Sequence, residues 1–221
     1  MGLGTKIKEI TGFEGDVKQT LRPMVNYTCA NITIGGAGYP LNQFHQQFLA
    51  YVEGMKTGAA GKISLISGLW DAISDPIVGM LTDRTKSKLG RHRPYKIIAA
   101  LPFAIVYLFK WTSFGISSSG NDNATWWWYL FAALAYCTFM TLLSVPHTAM
   151  LPTIAPSYFE RTQYKIVEYM MNSVGQVLSY VFAALALSGF NVKTALTGLP
   201  TPSEGDRSKY LLVGIVLAVW F

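Results

Sequence analysis

The sequence predicts an all-α membrane protein: a bundle of five complete spans and a sixth that is incomplete. Three observations predict it. The 221 residues are 51% hydrophobic and only 14% charged, with mean hydropathy +0.29, whereas an average soluble domain is about 25% charged. The apolar residues gather in long charge-poor runs and do not alternate as around one soluble core. The eighteen Lys and Arg residues lie in the short polar connections and at the run ends, and they divide unevenly between the two sides.

Residues 1–22 are polar, carry Lys6, Lys8, Glu9, Glu14, Asp16, Lys18 and Arg22, and lack the apolar core of a cleaved signal. They read as a cytoplasmic lead-in. A hydrocarbon core about 30 Å thick needs roughly 20 mostly apolar helical residues. Residues 23–52 hold no Asp, Glu, Lys or Arg; 62–82 hold Asp71 and Asp75 after Lys62 at the start; 95–114 hold Lys96 at the start and Lys110 near the end; 126–152 hold none; 164–190 hold Lys165 and Glu168 near the start. These are the five predicted spans. The sixth, 209–221, reaches only ~18–20 Å at 1.5 Å per residue, so a truncated sixth helix is expected, in a chain that is the N-terminal part of something longer. With the N-terminus in the cytoplasm, twelve cations fall inside, half of them between Arg84 and Lys96, and six outside. The positive-inside bias therefore predicts a multi-pass protein of the cell membrane with a cytoplasmic N-terminus. The same placement makes the basic excess a topology and lipid-headgroup feature, and no nucleic-acid partner is expected. Cys29 and Cys137 both lie in apolar runs, so neither a disulfide framework nor a zinc site is indicated.

The sharpest chemical signal is Trp70-Asp71-Ala72-Ile73-Ser74-Asp75-Pro76. A carboxylate near mid-membrane costs at least ~2.5–3.5 kcal/mol and marks an ion or solute path. Asp75 is one helical turn beyond Asp71 on the same face, and two carboxylates that close repel unless a cation sits between them or one is protonated. Pro76 has no N–H, which leaves the carbonyl of Ala72 as a further oxygen. This is a hard-oxygen site for a monovalent cation; two carboxylates with few other ligands hold a divalent ion poorly. The alternative is a pair of aspartates capping a helix break or bonded to neighbouring hydroxyls. The second signal runs from Gly79, Asp83 and Arg84 to Gly90, Arg91 and Arg93, a charged turn between two spans whose contacts can hold one state of a rocking machine.

Read continuously, WDAxxDPxxGxxxDRTxxxxGRxRPY from Trp70 to Tyr95 resembles the signature of the glycoside–pentoside–hexuronide:cation symporter family. These are melibiose-permease-like members of the major facilitator superfamily. The stretch SVPHTAMLPTI from Ser144 resembles the family's fourth span, and Glu160-Arg161 its following acidic–basic pair. The resemblance implies the N-terminal six-helix bundle of a major-facilitator-type transporter, two three-helix units related by an inverted repeat. It also implies a C-terminal half as partner, and a symporter that moves a small polar solute, a sugar, glycoside or hexuronide, with a cation. The family's cation ligands fall on Asp71 and Asp75, with Thr141 from the fourth span and Ser74 where relatives carry Asn. Sugar-binding relatives have acids in the first and fourth spans; here the first has none and the fourth has Ser144 in that place. That departure keeps other solutes open, an anionic sugar, a sulfonate or a lysolipid.

Asn31, Asn42, Ser144 and His147 are candidates to touch the solute, with Asn31, Gly35, Gly38 and Asn42 recurring at helix spacing. Gly35, Gly36 and Gly38 equally suit close helix packing, and His147 equally suits a bond to a neighbouring helix. Trp126, Trp127 and Trp128 read as an interfacial belt. No cofactor is expected beyond the coupling ion, Na⁺ or H⁺, since protonating one aspartate relieves the same repulsion as binding sodium. An intramembrane aspartyl hydrolase would present its two carboxylates from separate elements; the pair here is on one helix, so no enzyme is expected. A non-transporting or truncated membrane module is the remaining alternative.

Overall fold

A computed structural model describes residues 17–85, 92–117, 121–197 and 206–220, which are helical with no strand among them. Helix α1 (Val17–Thr28) begins inside the stretch read as a lead-in. It passes through Cys29 into α2 (Ala30–Gln47), which ends in a π turn, Phe48–Val52. The junction at Cys29 keeps its bonding, with Cys29 N donating to Val25 O at 2.8 Å. The π turn closes with Glu53 N donating to Phe48 O, and Gly54 at φ 69° ends it in the left-handed region that glycine enters without steric cost.

Then follow α3 (Thr57–Arg84), α4 (Arg93–Phe109), α5 (Asp122–Ile154), α6 (Tyr158–Leu187), the short α7 (Val192–Thr197) and α8 (Arg207–Trp220). Their starts obey helix chemistry. The Asn121 side chain accepts from Ala124 N before α5, and Ser157 with Glu160 forms a capping box before α6. Arg161 closes the same corner by donating to the carbonyls of Ala155 and Pro156 at 2.8 and 3.0 Å. Pro76, Pro102 and Pro146 lie within helices that continue past them. Among the described residues α5 and α6 are long and apolar enough to cross a membrane; α4 is apolar but shorter. The 28-residue α3 is interrupted chemically by its charges.

Packing pairs α2 with α6 and α3 with α5 most extensively, while α4 lies on α5, and α8 lies across α6 and α4. Counted as spans, the first meets the fifth and the second meets the fourth. A three-plus-three repeat that exchanges spans one and four, two and five, and three and six would turn the first of these pairs into the second, but it would also turn the extensive α4–α5 pair into the slight α2–α8 one.

The α2–α6 contact is backbone on backbone. A Cβ added at Gly175 would stand 2.0 Å from the Ile32 carbonyl oxygen, and one at Gly35 would stand 2.5 Å from that of Asn172. Such an approach is what small residues allow in membranes, where helices associate by packing without a hydrophobic drive. Gly38, by contrast, faces open space. The larger core gathers Phe48, Trp111, Tyr129 and Tyr210 towards the tryptophan end of the bundle, and a small cluster of Met24, Tyr27, Leu151, Ala155 and Tyr164 closes the other end. Of the three tryptophans read as a belt, Trp126 and Trp128 donate to the carbonyls of Ala59 and Thr112, while Trp127 is exposed.

Candidate functional site

Helices α3 and α5 meet along a polar seam. Trp70 Nε1 donates to Thr138 Oγ1 at 2.9 Å, and one turn along α5 Thr141 Oγ1 donates to Asp71 Oδ1 at 3.2 Å. Ser74, buried, donates to the Asp71 carbonyl at 3.1 Å and lies 3.4 Å from the Thr141 hydroxyl. Spacing explains the seam: 70, 71 and 74 share one side of α3, and 138 and 141 are one turn apart on α5. Three of the four cation-site candidates, Asp71, Ser74 and Thr141, therefore converge. Asp75 is one turn further along α3 and exposed. No lysine or arginine pairs with either carboxylate among the described residues. Two carboxylates one turn apart with no cationic partner repel each other, a repulsion that a bound cation or a proton would relieve.

A second cluster lies between α2, α4 and α5. His147 and Asn31 are 3% and 4% exposed, and His147 Nε2 lies 2.9 Å from the Asn31 carboxamide. Lys96 Nζ stands 3.0 Å from His147 Nδ1. The Asn31 amide nitrogen is the atom set against Nε2; because an ammonium only donates, Lys96 on Nδ1 puts the ring proton on Nε2, and the Asn31 amide is assigned turned end for end so that its oxygen accepts. Tyr27 stacks on the imidazole at 4.3 Å and donates its hydroxyl to the His147 carbonyl at 2.9 Å. The alternative reading of His147, a bond to a neighbouring helix, thus describes part of its surroundings. Asn42 is exposed and apart from this cluster, and Ser144 is half-buried, its hydroxyl meeting no partner among the described residues.

The turn motif is less tied. Asp83 and Arg84 are exposed at the end of α3 and make no ion pair among the described residues. A Cβ at Gly79 would meet only Val145 Cγ1 at 4.0 Å, an ordinary contact, so close helix approach is not what glycine supplies there. Gly90 and Arg91 lie outside the described residues, as does the side chain of Arg93.

Two cations that the sequence reading left in the topology count turn towards the bundle: Lys96, half-buried with its ammonium on His147, and Lys110, buried with its ammonium 5.0 Å from the centre of the Tyr136 ring. Both sit near run ends, where a long aliphatic stem reaches equally well outward or inward. No local pattern separates the two directions.

The sequence matches the MFS/sugar transport protein family over residues 26–220. It is 33% identical over 147 residues to a protein of Synechocystis sp. named an uncharacterized symporter, covering 64% of this chain and 26% of that protein. It is 31% identical over 166 residues to the sodium-dependent lysophosphatidylcholine symporter 1-A of Danio rerio, covering 69% and 30%. It is 24% identical over 172 residues to the isoprimeverose transporter of Lactiplantibacillus pentosus, covering 78% and 33%. The chain thus spans between a quarter and a third of the length of these relatives. A match along almost every described helix, with relatives named as symporters, makes this membrane protein a member of the MFS/sugar transport protein family, similar to its glycoside–pentoside–hexuronide:cation symporters.

Proposed function

We propose that this chain is the N-terminal bundle of a cation-coupled symporter, completed by a C-terminal bundle and moving a small polar solute, a sugar, glycoside or hexuronide, across the cell membrane. The observation that carries the reading is Asp71: near the middle of α3, unpaired with any described cation, and held by Thr141 from α5 at 3.2 Å. In this reading Asp71 and Asp75 supply the charge, Thr141 and Ser74 supply neutral oxygens, and the coupling ion is Na⁺ or H⁺. The relative named sodium-dependent favours Na⁺. Its named substrate also supports a second solute class, a lysophospholipid. Gly79, Asp83, Arg84, Gly90, Arg91 and Arg93 form the gate between the second and third spans, on the cytoplasmic side with the N-terminus. Asn31, His147, Ser144 and Asn42 are the candidate solute contacts, and the chain does no covalent chemistry.

Uptake into proteoliposomes holding the full-length protein tests the cation site, with and without an inward Na⁺ gradient. Asp71→Asn and Asp75→Asn should each abolish gradient-driven accumulation, whereas Thr141→Ala should weaken the ion's effect about tenfold, the worth of one neutral ligand. Normal accumulation in both Asn variants would return the aspartates to a structural role. Stimulation by a proton gradient alone would assign H⁺.

A further inference from the structure

We infer that Lys96, with His147 and Asn31 behind it, is an oxyanion subsite, and that the transported solute carries a carboxylate, sulfonate or phosphate seated there. The inference rests on the symporter reading and names the chemistry of its cargo. Lys96 lies in the first turn of α4, where a lysine would ordinarily send its ammonium out to the headgroups. Instead its Nζ meets His147 Nδ1 inside the bundle, 3.0 Å away. Among the described residues no carboxylate neutralises it. A half-buried ammonium turned inward at the helix start with no acid beside it keeps donors that an anionic partner can complete.

The surroundings suit an anion. Lys96 lines a cavity of about 90 Å³ with Thr33 and Ile34 of α2, Phe103 of α4 and Met140 and Leu143 of α5. The mostly apolar walls lower the local dielectric and so strengthen a charge-assisted bond from the ammonium. His147 fixes the ammonium without neutralising it: its imidazole accepts one of three N–H bonds and leaves two for a ligand. The imidazole is itself held by the Tyr27 ring at 4.3 Å and by Asn31 at 2.9 Å, so the donor is pre-positioned. Asp71 and its hydroxyls lie on the α3–α5 seam, and the ammonium lies on the α4–α5 side of the same helix. A cation at the first and an anion at the second would together bind as a near-neutral pair. The chain places no acid in the first or fourth span to clamp sugar hydroxyls, which agrees with this division.

The test uses matched probes on the purified full-length protein in a Na⁺ buffer held constant throughout: D-glucuronate against D-glucose, and lysophosphatidylcholine against monoacylglycerol. Binding is read by thermal stabilisation and transport by proteoliposome uptake. At least one anion-bearing probe should bind, with its neutral counterpart about tenfold or more weaker. Lys96→Met should remove that preference about tenfold, and Lys96→Arg should restore part of it. Retained stabilisation of Lys96→Met by Na⁺ shows that the variant is folded. Which pair responds distinguishes a uronate from a phospholipid headgroup. Binding of neutral probes alone, anion binding unchanged in Lys96→Met, or no binding by any anionic probe overturns the subsite. Neutral-probe uptake that needs Na⁺ and Asp71 would overturn the subsite and leave symport standing. Lys96-dependent anion binding without gradient-driven uptake would do the reverse.

Discussion

Thr141 carries one hydroxyl proton between two acceptors, Asp71 Oδ1 at 3.2 Å and the Cys137 carbonyl at 2.9 Å. Without an ion the carboxylate is the stronger acceptor. In the proposed site, an ion on Asp71 would turn the proton to the Cys137 carbonyl and leave the hydroxyl lone pairs to the cation. Thr138, one turn away, receives the Trp70 indole N–H and returns its own proton to the Leu134 carbonyl, touching neither aspartate. The two threonines should therefore separate in a Na⁺ titration of uptake. Thr141→Ala is expected to raise half-saturating Na⁺ about tenfold, and Thr138→Ala to leave it within about twofold. Equal shifts would mean that the seam acts only by packing α3 on α5.

At the scale of the helix, glycine has opposite meanings at two positions of the first and fifth spans. Gly175 is indispensable because a methyl group there would overlap the Ile32 carbonyl, 2.0 Å from the added carbon. Neither helix can yield without moving backbone, so Gly175→Ala should cost about 1–3 kcal/mol or more, as overpacking does. At Gly38 an added Cβ meets nothing within 4 Å. Gly38→Ala should stabilise α2 by about 0.5–1 kcal/mol through the helix preference of alanine. Thermal unfolding in detergent, followed by tryptophan fluorescence, checks both signs in one series. Both glycines look alike in sequence, and only the distance to the facing helix tells them apart.

Across the whole molecule, the first and last spans are tied by Glu53, just after the π turn, and Arg207, which opens α8, with Nη2 to Oε1 at 3.4 Å. The Glu53 side chain is fully buried, whereas that of Arg207 is 39% exposed. That asymmetry sets the expected order of damage. Arg207→Met strands a buried carboxylate and should cost about 3–5 kcal/mol. Glu53→Gln leaves a guanidinium that water still reaches and should cost about 1 kcal/mol. Unfolding midpoints of the two variants in detergent decide the order. Orientation has its own test. In a background lacking Cys29 and Cys137, Ser87→Cys should resist a membrane-impermeant maleimide in intact cells and react in inverted vesicles. Asn123→Cys should behave oppositely.

Helix placement was legible in the sequence because a bilayer imposes a length and a composition on each span independently of its neighbours. The six apolar runs and the helices α2 to α6 and α8 accordingly lie over one another, with the ends shifted by caps such as Asn121 and Ser157. Asp71 and Asp75 were legible for the same reason, since an acid in an apolar run is conspicuous wherever it points. The pairing of Thr141 with Asp71 came from a motif resemblance, as nothing local joins residues 70 positions apart. What only the tertiary structure decided is direction: which glycine meets a backbone, and whether Lys96 and Lys110 turn outward or in. Those outcomes depend on how helices pack across the bundle, and a one-dimensional hydrophobic pattern does not encode the distance between two helices.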